Sequence, residues 1–230
     1  MNIKGFTKTT LLDFPGEIAS TIFTGGCNFN CPYCHNADLV INHNLMDSLP
    51  EENILSHIKK RCGIINCICI SGGEPTLQHD LLDFMRKLKE LPLKIKLDTN
   101  GSNPHIIQEA YENNLIDYIA MDIKNSKDKY SITSGTKISL ANIERSVEYI
   151  RSCGIDYEFR TTIIKELHTL DDITQIGKWL KGSKKYYLQQ FVESAKQIKK
   201  GFSAHTPDTL EKFKNTLEPY FEVVSIRGVD

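Results

Sequence analysis

Cys27-Asn28-Phe29-Asn30-Cys31-Pro32-Tyr33-Cys34 places three cysteines within eight residues, spaced C-x3-C-x2-C, and no fourth cysteine follows closely. Thiolates at this density, in a chain with no secretory signal, read as a metal site. Iron–sulfur clusters are normally held by four cysteine thiolates. Three on a four-iron cube leave one iron open, and an open position marks a metal that acts on a ligand rather than one that only supports a fold. Two plainer readings compete. Structural zinc closes with four ligands, so His35 would have to join Cys27, Cys31 and Cys34; its adjacency to Cys34 makes that tetrahedron awkward. Disulfides are disfavoured by the odd total of seven cysteines and by Met1–Thr7, which lacks the apolar core of a signal peptide.

The rest of the composition is ordinary. A chain of 230 residues reads as a single domain over 1–230 that can bury a sizeable core without staples. A net charge of −1 lacks the basic excess of a general nucleic-acid binder. No apolar run approaches the roughly 18–20 residues that span a membrane. These features predict a cytoplasmic protein with reduced thiols.

Outward from the cysteines, apolar runs alternate with amphipathic patterns, the mark of α/β architecture. Residues 2–17 carry turn signals and predict a short ribbon. The first core strand is read over 18–24, followed by an irregular cysteine-bearing segment over about 25–50. Later strands are read at 66–71, 94–98, 116–121, 157–164 and 185–191, with a last strand or extended tail at 221–226. Helices between them are signalled by capping residues: Ser48 with Glu51 as a capping box, Asn103-Pro104, Ser139, Thr169 and Thr206-Pro207. Six strand-then-helix units predict a partial (β/α)6 barrel with the cysteine loop after its first core strand. An eightfold barrel usually takes about 250 residues. The expected divisions are an N-terminal extension (1–17), the barrel core (18–191) and a C-terminal extension (192–230).

Chemistry in such barrels sits at the C-terminal ends of the strands, and three polar motifs fall there. Ser71-Gly72-Gly73-Glu74-Pro75 follows the second core strand, Asp98-Thr99-Asn100-Gly101 the third and Met121-Asp122-Ile123-Lys124 the fourth. Each has a plain reading: a tight strand-to-helix turn, an Asn-Gly turn, and a solvated acid and base.

Together with the cysteine spacing and the aromatic Tyr33 before Cys34, these motifs resemble the radical S-adenosylmethionine (SAM) superfamily, which commonly uses a (β/α)6 partial barrel. The resemblance implies a [4Fe-4S] cluster on Cys27, Cys31 and Cys34, with SAM on the fourth iron and Tyr33 near its adenine. Gly72, Gly73 and Glu74 match the motif that binds the SAM amino group. Asp98, Thr99, Asn100, Met121, Asp122 and Lys124 match the motifs near the SAM carboxylate in enzymes that activate glycyl-radical enzymes, in places around a monovalent cation.

Other polar residues keep two readings. Arg160, in a buried strand, pairs with Glu158 on the same face or reaches SAM. Gln189 and Gln190 hydrogen-bond the adenosine or each other; pyruvate formate-lyase activating enzyme has a histidine near this strand end, and this stretch has none. Cys62, Cys67 and Cys69 form a second cluster or, as the strand pattern favours, pack in the core.

Over nearly its whole length the chain resembles the anaerobic ribonucleoside-triphosphate reductase-activating proteins, in the longer form that opens with Leu11-Leu12-Asp13-Phe14-Pro15-Gly16. That resemblance implies one-electron reduction by a flavodoxin or ferredoxin, cleavage of SAM to a 5′-deoxyadenosyl radical, and a glycyl radical left on the partner reductase. The alternatives are a radical SAM enzyme acting on a small molecule, such as a 7-carboxy-7-deazaguanine synthase, and a non-enzymatic iron–sulfur electron carrier.

Overall fold

The computed structural model describes residues 1–228; Val229 and Asp230, the end of the expected C-terminal extension, lie outside the described residues. The apolar runs become strands β1 (Ile3–Thr10), β2 (Ala19–Thr24), β3 (Cys67–Gly72), β4 (Lys94–Thr99), β5 (Tyr118–Asp122), β6 (Asp156–Ile163), β7 (Ser183–Gln190) and β8 (Phe221–Arg227). They lie in that order in one sheet. β1 runs antiparallel to β2, and every later pair of neighbours is parallel. Connecting the strands are α1 (Ala37–Ile41), α2 (Glu51–Lys60), α3 (Leu81–Lys89), α4 (Pro104–Glu112), α5 (Tyr130–Ser134), α6 (Leu140–Ser152), α7 (Leu170–Trp179) and α8 (Pro207–Leu217). The two edges, β1 and β8, do not pair, so the architecture is the expected open, partial (β/α)6 barrel, extended by one strand at each edge. The ribbon expected over 2–17 does not close on itself. Its strand pairs with β2 instead, Phe6 opposite Ile22, because both present an apolar face to the same core.

Alternation along each strand sends one set of side chains outward to the helices and the other into the barrel. The outward set, with Ile68, Ile70, Ile95, Leu97 and Ile119, packs on Phe84, Met85, Ile107, Ile143 and Ile176 in the main core. The inward set is far more polar. Tyr118 Oη donates to Glu158 Oε2 at 3.0 Å. Arg227 grips the same carboxylate through both nitrogens, at 2.6 and 2.9 Å, and lies 3.4 Å above the Tyr187 ring. Glu158 is thus fully satisfied from β5 and β8, and the short-range pairing with Arg160 read from the sequence is not made. Cys67 and Cys69 are buried inward residues, whereas Cys62 is exposed, which fits the packing reading of the strand pair.

The Leu11–Gly16 stretch closes the N-terminal mouth of the barrel. Phe14 is buried against Tyr118, ring centroids 5.8 Å apart, in a small cluster with Ala19 and Cys67. Asp13 accepts from Thr21 Oγ1 at 2.5 Å, and its carbonyl accepts from Lys96 Nζ at 2.5 Å. Phe14→Ala is expected to lower stability by about 2 kcal/mol, the worth of one buried aromatic side chain. Urea unfolding measures it, and an unchanged midpoint would show that the stretch does not plug the barrel.

Thr169 and Asp172 form the capping box of α7, and Thr206 caps α8. Ser48 does not cap α2, which starts after Pro50. The Glu51 carboxylate is instead taken by the Met1 ammonium and Lys87, two cations that outcompete one backbone N–H.

Candidate active site

The C-terminal ends of β3, β4, β5 and β6 and the cysteine loop after β2 enclose a cavity of about 200 Å3. Cys27, Cys31 and Cys34 all line it. The loop that carries them is anchored from several sides. Asn30 N–H donates to the Ser134 carbonyl at 2.9 Å, and Lys199 N–H to the Pro32 carbonyl at 2.7 Å. Tyr33 is buried, its ring edge-on to Phe202 at 6.4 Å. Residues after β7 therefore strap the cysteine loop down.

Burial, then the nearby Glu74 carboxylate, pushes the Cys27 thiol up to about 12; burial also raises Cys31 and Cys34. Thiols this reluctant to ionise by themselves become ligands when a metal supplies the compensating charge. Three thiols line one cavity with no fourth cysteine beside them among the described residues, the donor set that a cluster with one open iron would take, and the His35 ring lies against Phe191, centroids 5.3 Å apart.

Gly72 and Gly73 are required by close backbone approach. A Cβ at Gly72, whose φ is +114°, would meet Thr24 N at 2.4 Å, and one at Gly73 would meet the Gly26 carbonyl oxygen at 2.0 Å. Their loop is thereby held to the cysteine loop: Gly73 N–H donates to the Thr24 carbonyl and Glu74 N–H to the Gly26 carbonyl, each at 2.8 Å. Glu74 is buried and receives four hydrogen bonds. Thr76 N–H, Thr76 Oγ1 and Thr99 Oγ1 donate to Oε1, and Asn100 N–H donates to Oε2 at 2.6 Å. Burial nonetheless raises its pKa, against those donors. Glu74 lines the cavity, yet most of its bonding capacity ties the loop after β3 to the loop after β4.

Below the cysteines runs a chain of alternating charge. Arg160 Nε donates to Asp122 Oδ1 at 2.6 Å, and a second guanidinium nitrogen to Asp98 Oδ2 at 3.1 Å. Lys124 Nζ donates to Asp122 Oδ2 at 2.9 Å, and Ser71 Oγ to Asp98 Oδ2 at 3.1 Å. Lys96 Nζ lies 3.3 Å from Asp98 Oδ1, outside hydrogen-bond alignment with it, and donates one N–H to the Asp13 carbonyl. Asp98 Oδ1 is therefore buried with an ion pair and no hydrogen bond. Burial opposes both carboxylates, but Arg160 and the two lysines hold Asp98 and Asp122 below the usual aspartate range. Burial also opposes the Lys124 ammonium, and Asp122 keeps it charged well above the ordinary lysine value.

The structure thus gathers Cys27, Cys31, Tyr33, Cys34, Gly72, Gly73, Glu74, Asp98, Thr99, Asn100, Asp122, Lys124 and Arg160 round one cavity. Met121 is a core residue packed beneath Gly101. Gln190 does not line the cavity; its Oε1 is buried without a partner, near Gly228. Thr162 and Val40 line it and carry no sequence motif, and Ser71, which opens the Gly-Gly-Glu stretch, lines it without having been singled out. Thr162 could have been found as the next inward residue after Arg160 on β6.

A site of this kind belongs to a metalloenzyme whose cluster works on a charged ligand bound beside it. Residues 21–180 match the radical SAM superfamily. A glycyl-radical enzyme activating enzyme of Methanocaldococcus jannaschii is 34% identical over 82% of this chain and 79% of its own length. The pyruvate formate-lyase-activating enzyme of Streptococcus mutans is 30% identical over 74% of this chain and 68% of its own. The crystal structure of Streptococcus suis SuiB bound to S-adenosylmethionine shares the fold with a TM-score of 0.69 at 14% identity, over 88% of this chain and 48% of that one. The chain belongs to the radical SAM superfamily, within its glycyl-radical enzyme activating enzymes, and its cofactors are a [4Fe-4S] cluster and SAM.

Proposed function

We propose that this enzyme generates a glycyl radical on an anaerobic ribonucleoside-triphosphate reductase, with an electron from a flavodoxin or ferredoxin, in the reducing interior of the cell. The observation that carries the reading is the junction of three cysteines and the paired charges of Asp98, Asp122, Lys124 and Arg160 round one cavity at the strand ends of an open barrel. An open edge suits a substrate that is a segment of another protein, and free cysteines suit a reducing compartment.

In this reading Cys27, Cys31 and Cys34 would hold the [4Fe-4S] cluster, and SAM would bind beside it in the same cavity. When bound, the cluster would supply the one-electron chemistry that cleaves SAM and so allows hydrogen to be removed from a glycine Cα of the partner. The chain's own part is placement and exclusion of water. Glu74 fixes the loops after β3 and β4 relative to each other. Lys124 and Arg160 offer positive charge to a carboxylate, and the buried Asp98 Oδ1 offers an acceptor to an ammonium group or a monovalent cation.

Anaerobically reconstituted protein with SAM and dithionite is expected to release 5′-deoxyadenosine and to raise a glycyl doublet in the electron paramagnetic resonance (EPR) spectrum of the reductase from the same cell. SAM cleavage without a doublet on that reductase would overturn the choice of partner. It would turn the search to other glycyl-radical enzymes and to small molecules.

A further inference from the structure

Asn100 sits where three loops meet, and its side chain points at the cysteine loop rather than into open space. It is buried. Its Nδ2 donates to Asn28 Oδ1 at 2.9 Å and lies 3.9 Å from Cys27 Sγ, a separation that sulfur's size keeps within hydrogen-bond reach. The direction of the amide is fixed. Ser102 N–H donates to Asn100 Oδ1 at 2.9 Å, so that atom is the acceptor and the NH2 group must face Asn28 and Cys27. Asn28 is held in turn, its own Nδ2 donating to Ser102 Oγ at 2.9 Å. The Asn100 backbone is clamped too, since its N–H donates to Glu74 Oε2 at 2.6 Å.

We propose that Asn100 is a positioning residue for the cluster: its amide N–H, aimed by Asn28 and Ser102 and anchored by Glu74, donates to the Cys27 thiolate and raises the cluster's reduction potential. Reduction adds one electron, and its charge spreads over the iron and the ligating sulfurs. A donor aimed at one of those sulfurs stabilises the reduced form more than the oxidised form. Cys27 already receives the Phe29 N–H at 3.4 Å, so Asn100 makes it the sulfur with both a backbone and a side-chain donor. The contact spans 73 positions of sequence and links the Asp-Thr-Asn-Gly motif to the cysteine loop. This inference rests on the cluster assignment and not on the choice of partner reductase.

The test is an EPR-monitored redox titration of the reconstituted enzyme, without SAM and without partner, alongside iron content, circular dichroism and SAM affinity. Asn100→Ala is expected to shift the potential negative, by about tenfold in the equilibrium between reduced and oxidised cluster, the worth of one hydrogen bond to a charged acceptor. Asn100→Asp, which keeps the acceptor for Ser102 but turns an oxygen toward Cys27, is expected to shift it further. Asn28→Ala, which touches no bond to iron, is expected to give a smaller shift of the same sign because the amide is no longer aimed. Loss of iron from Asn100→Ala with unchanged circular dichroism supports the positioning role. Full iron and wild-type potential in Asn100→Asp and Asn28→Ala would overturn it. So would a variant that loses SAM affinity alone, which would make Asn100 a ligand contact instead.

Discussion

Cys31→Ala is expected to abolish SAM cleavage, by well over 100-fold, while leaving the barrel folded. Cys31 is buried, in a loop pinned to α5 by the Asn30 N–H and to the segment after β7 through the Pro32 carbonyl. Those anchors are backbone bonds and survive loss of the thiol. The iron does not, because Cys31 is one of the three thiols that line the cavity and alanine puts no ligand in its place. Loss of an outer-shell partner already costs 10–100-fold in metal affinity or activity, so loss of one of three ligands exceeds that. The variant is expected to show wild-type circular dichroism, depleted iron and no 5′-deoxyadenosine under any reductant. Cysteine at 69 makes the contrasting control. Cys69→Ala removes a buried barrel thiol close to Asp98 and Lys96. It is expected to leave iron content unchanged. Continued production of 5′-deoxyadenosine by Cys31→Ala would refute the three-cysteine site.

The sequence carried most of this because its chemistry is local. Three cysteines within one turn-rich loop, a strand-end Gly-Gly-Glu and a strand-end Asp-Thr-Asn-Gly each occupy a few consecutive residues, and strand alternation decides which of them face inward. What stayed hidden depends on distant partners. Arg160 and Glu158 share a face two positions apart, so their pairing stood as one of two readings beside a place at the ligand. In the folded barrel Arg160 meets Asp122 and Asp98, 38 and 62 positions away, while Glu158 is claimed by Arg227, 69 positions on. The capping box at Ser48 failed for the same reason: Glu51 is drawn off by cations from elsewhere in the chain. Gln190 does not line the cavity: in the register of β6 and β7, Gln189 rather than Gln190 stands opposite the cavity residue Thr162, so alternation puts Gln190 on the other face. The glycines of the Gly-Gly-Glu turn were legible as glycines but not in their reason, which is contact with the backbone of Thr24 and Gly26.

Arg160→Met is expected to cost about 3–5 kcal/mol of stability, the usual effect of removing one partner from a buried ion pair. The side chain is only 14% exposed, and it bridges two carboxylates that are 12% and 30% exposed. Without it Asp98 keeps Lys96, Asp122 keeps Lys124, and both lose their best donor. Methionine fills the space, so the cost is electrostatic rather than a cavity. The pH dependence follows from the sign of the shifts. Both carboxyls are held below their unfolded value, so their contribution is complete above about pH 4 and is lost as pH falls through the folded pKa. The gap between wild type and variant is therefore expected to be widest near neutrality and to narrow in acid, where protonated aspartates no longer need the guanidinium. A double variant, Arg160→Met with Asp122→Asn, is expected to recover about 1–2 kcal/mol, because the second change removes a charge the first left underpaired. Affinity for SAM, measured on reconstituted protein, is expected to fall about tenfold or more as Asp98 and Asp122 lose their orientation at the cavity. Anaerobic urea titrations from neutrality into acid decide it. A cost below about 1 kcal/mol, independent of pH, would place Arg160 among ordinary solvated pairs and remove the charge chain from any part in holding the ligand.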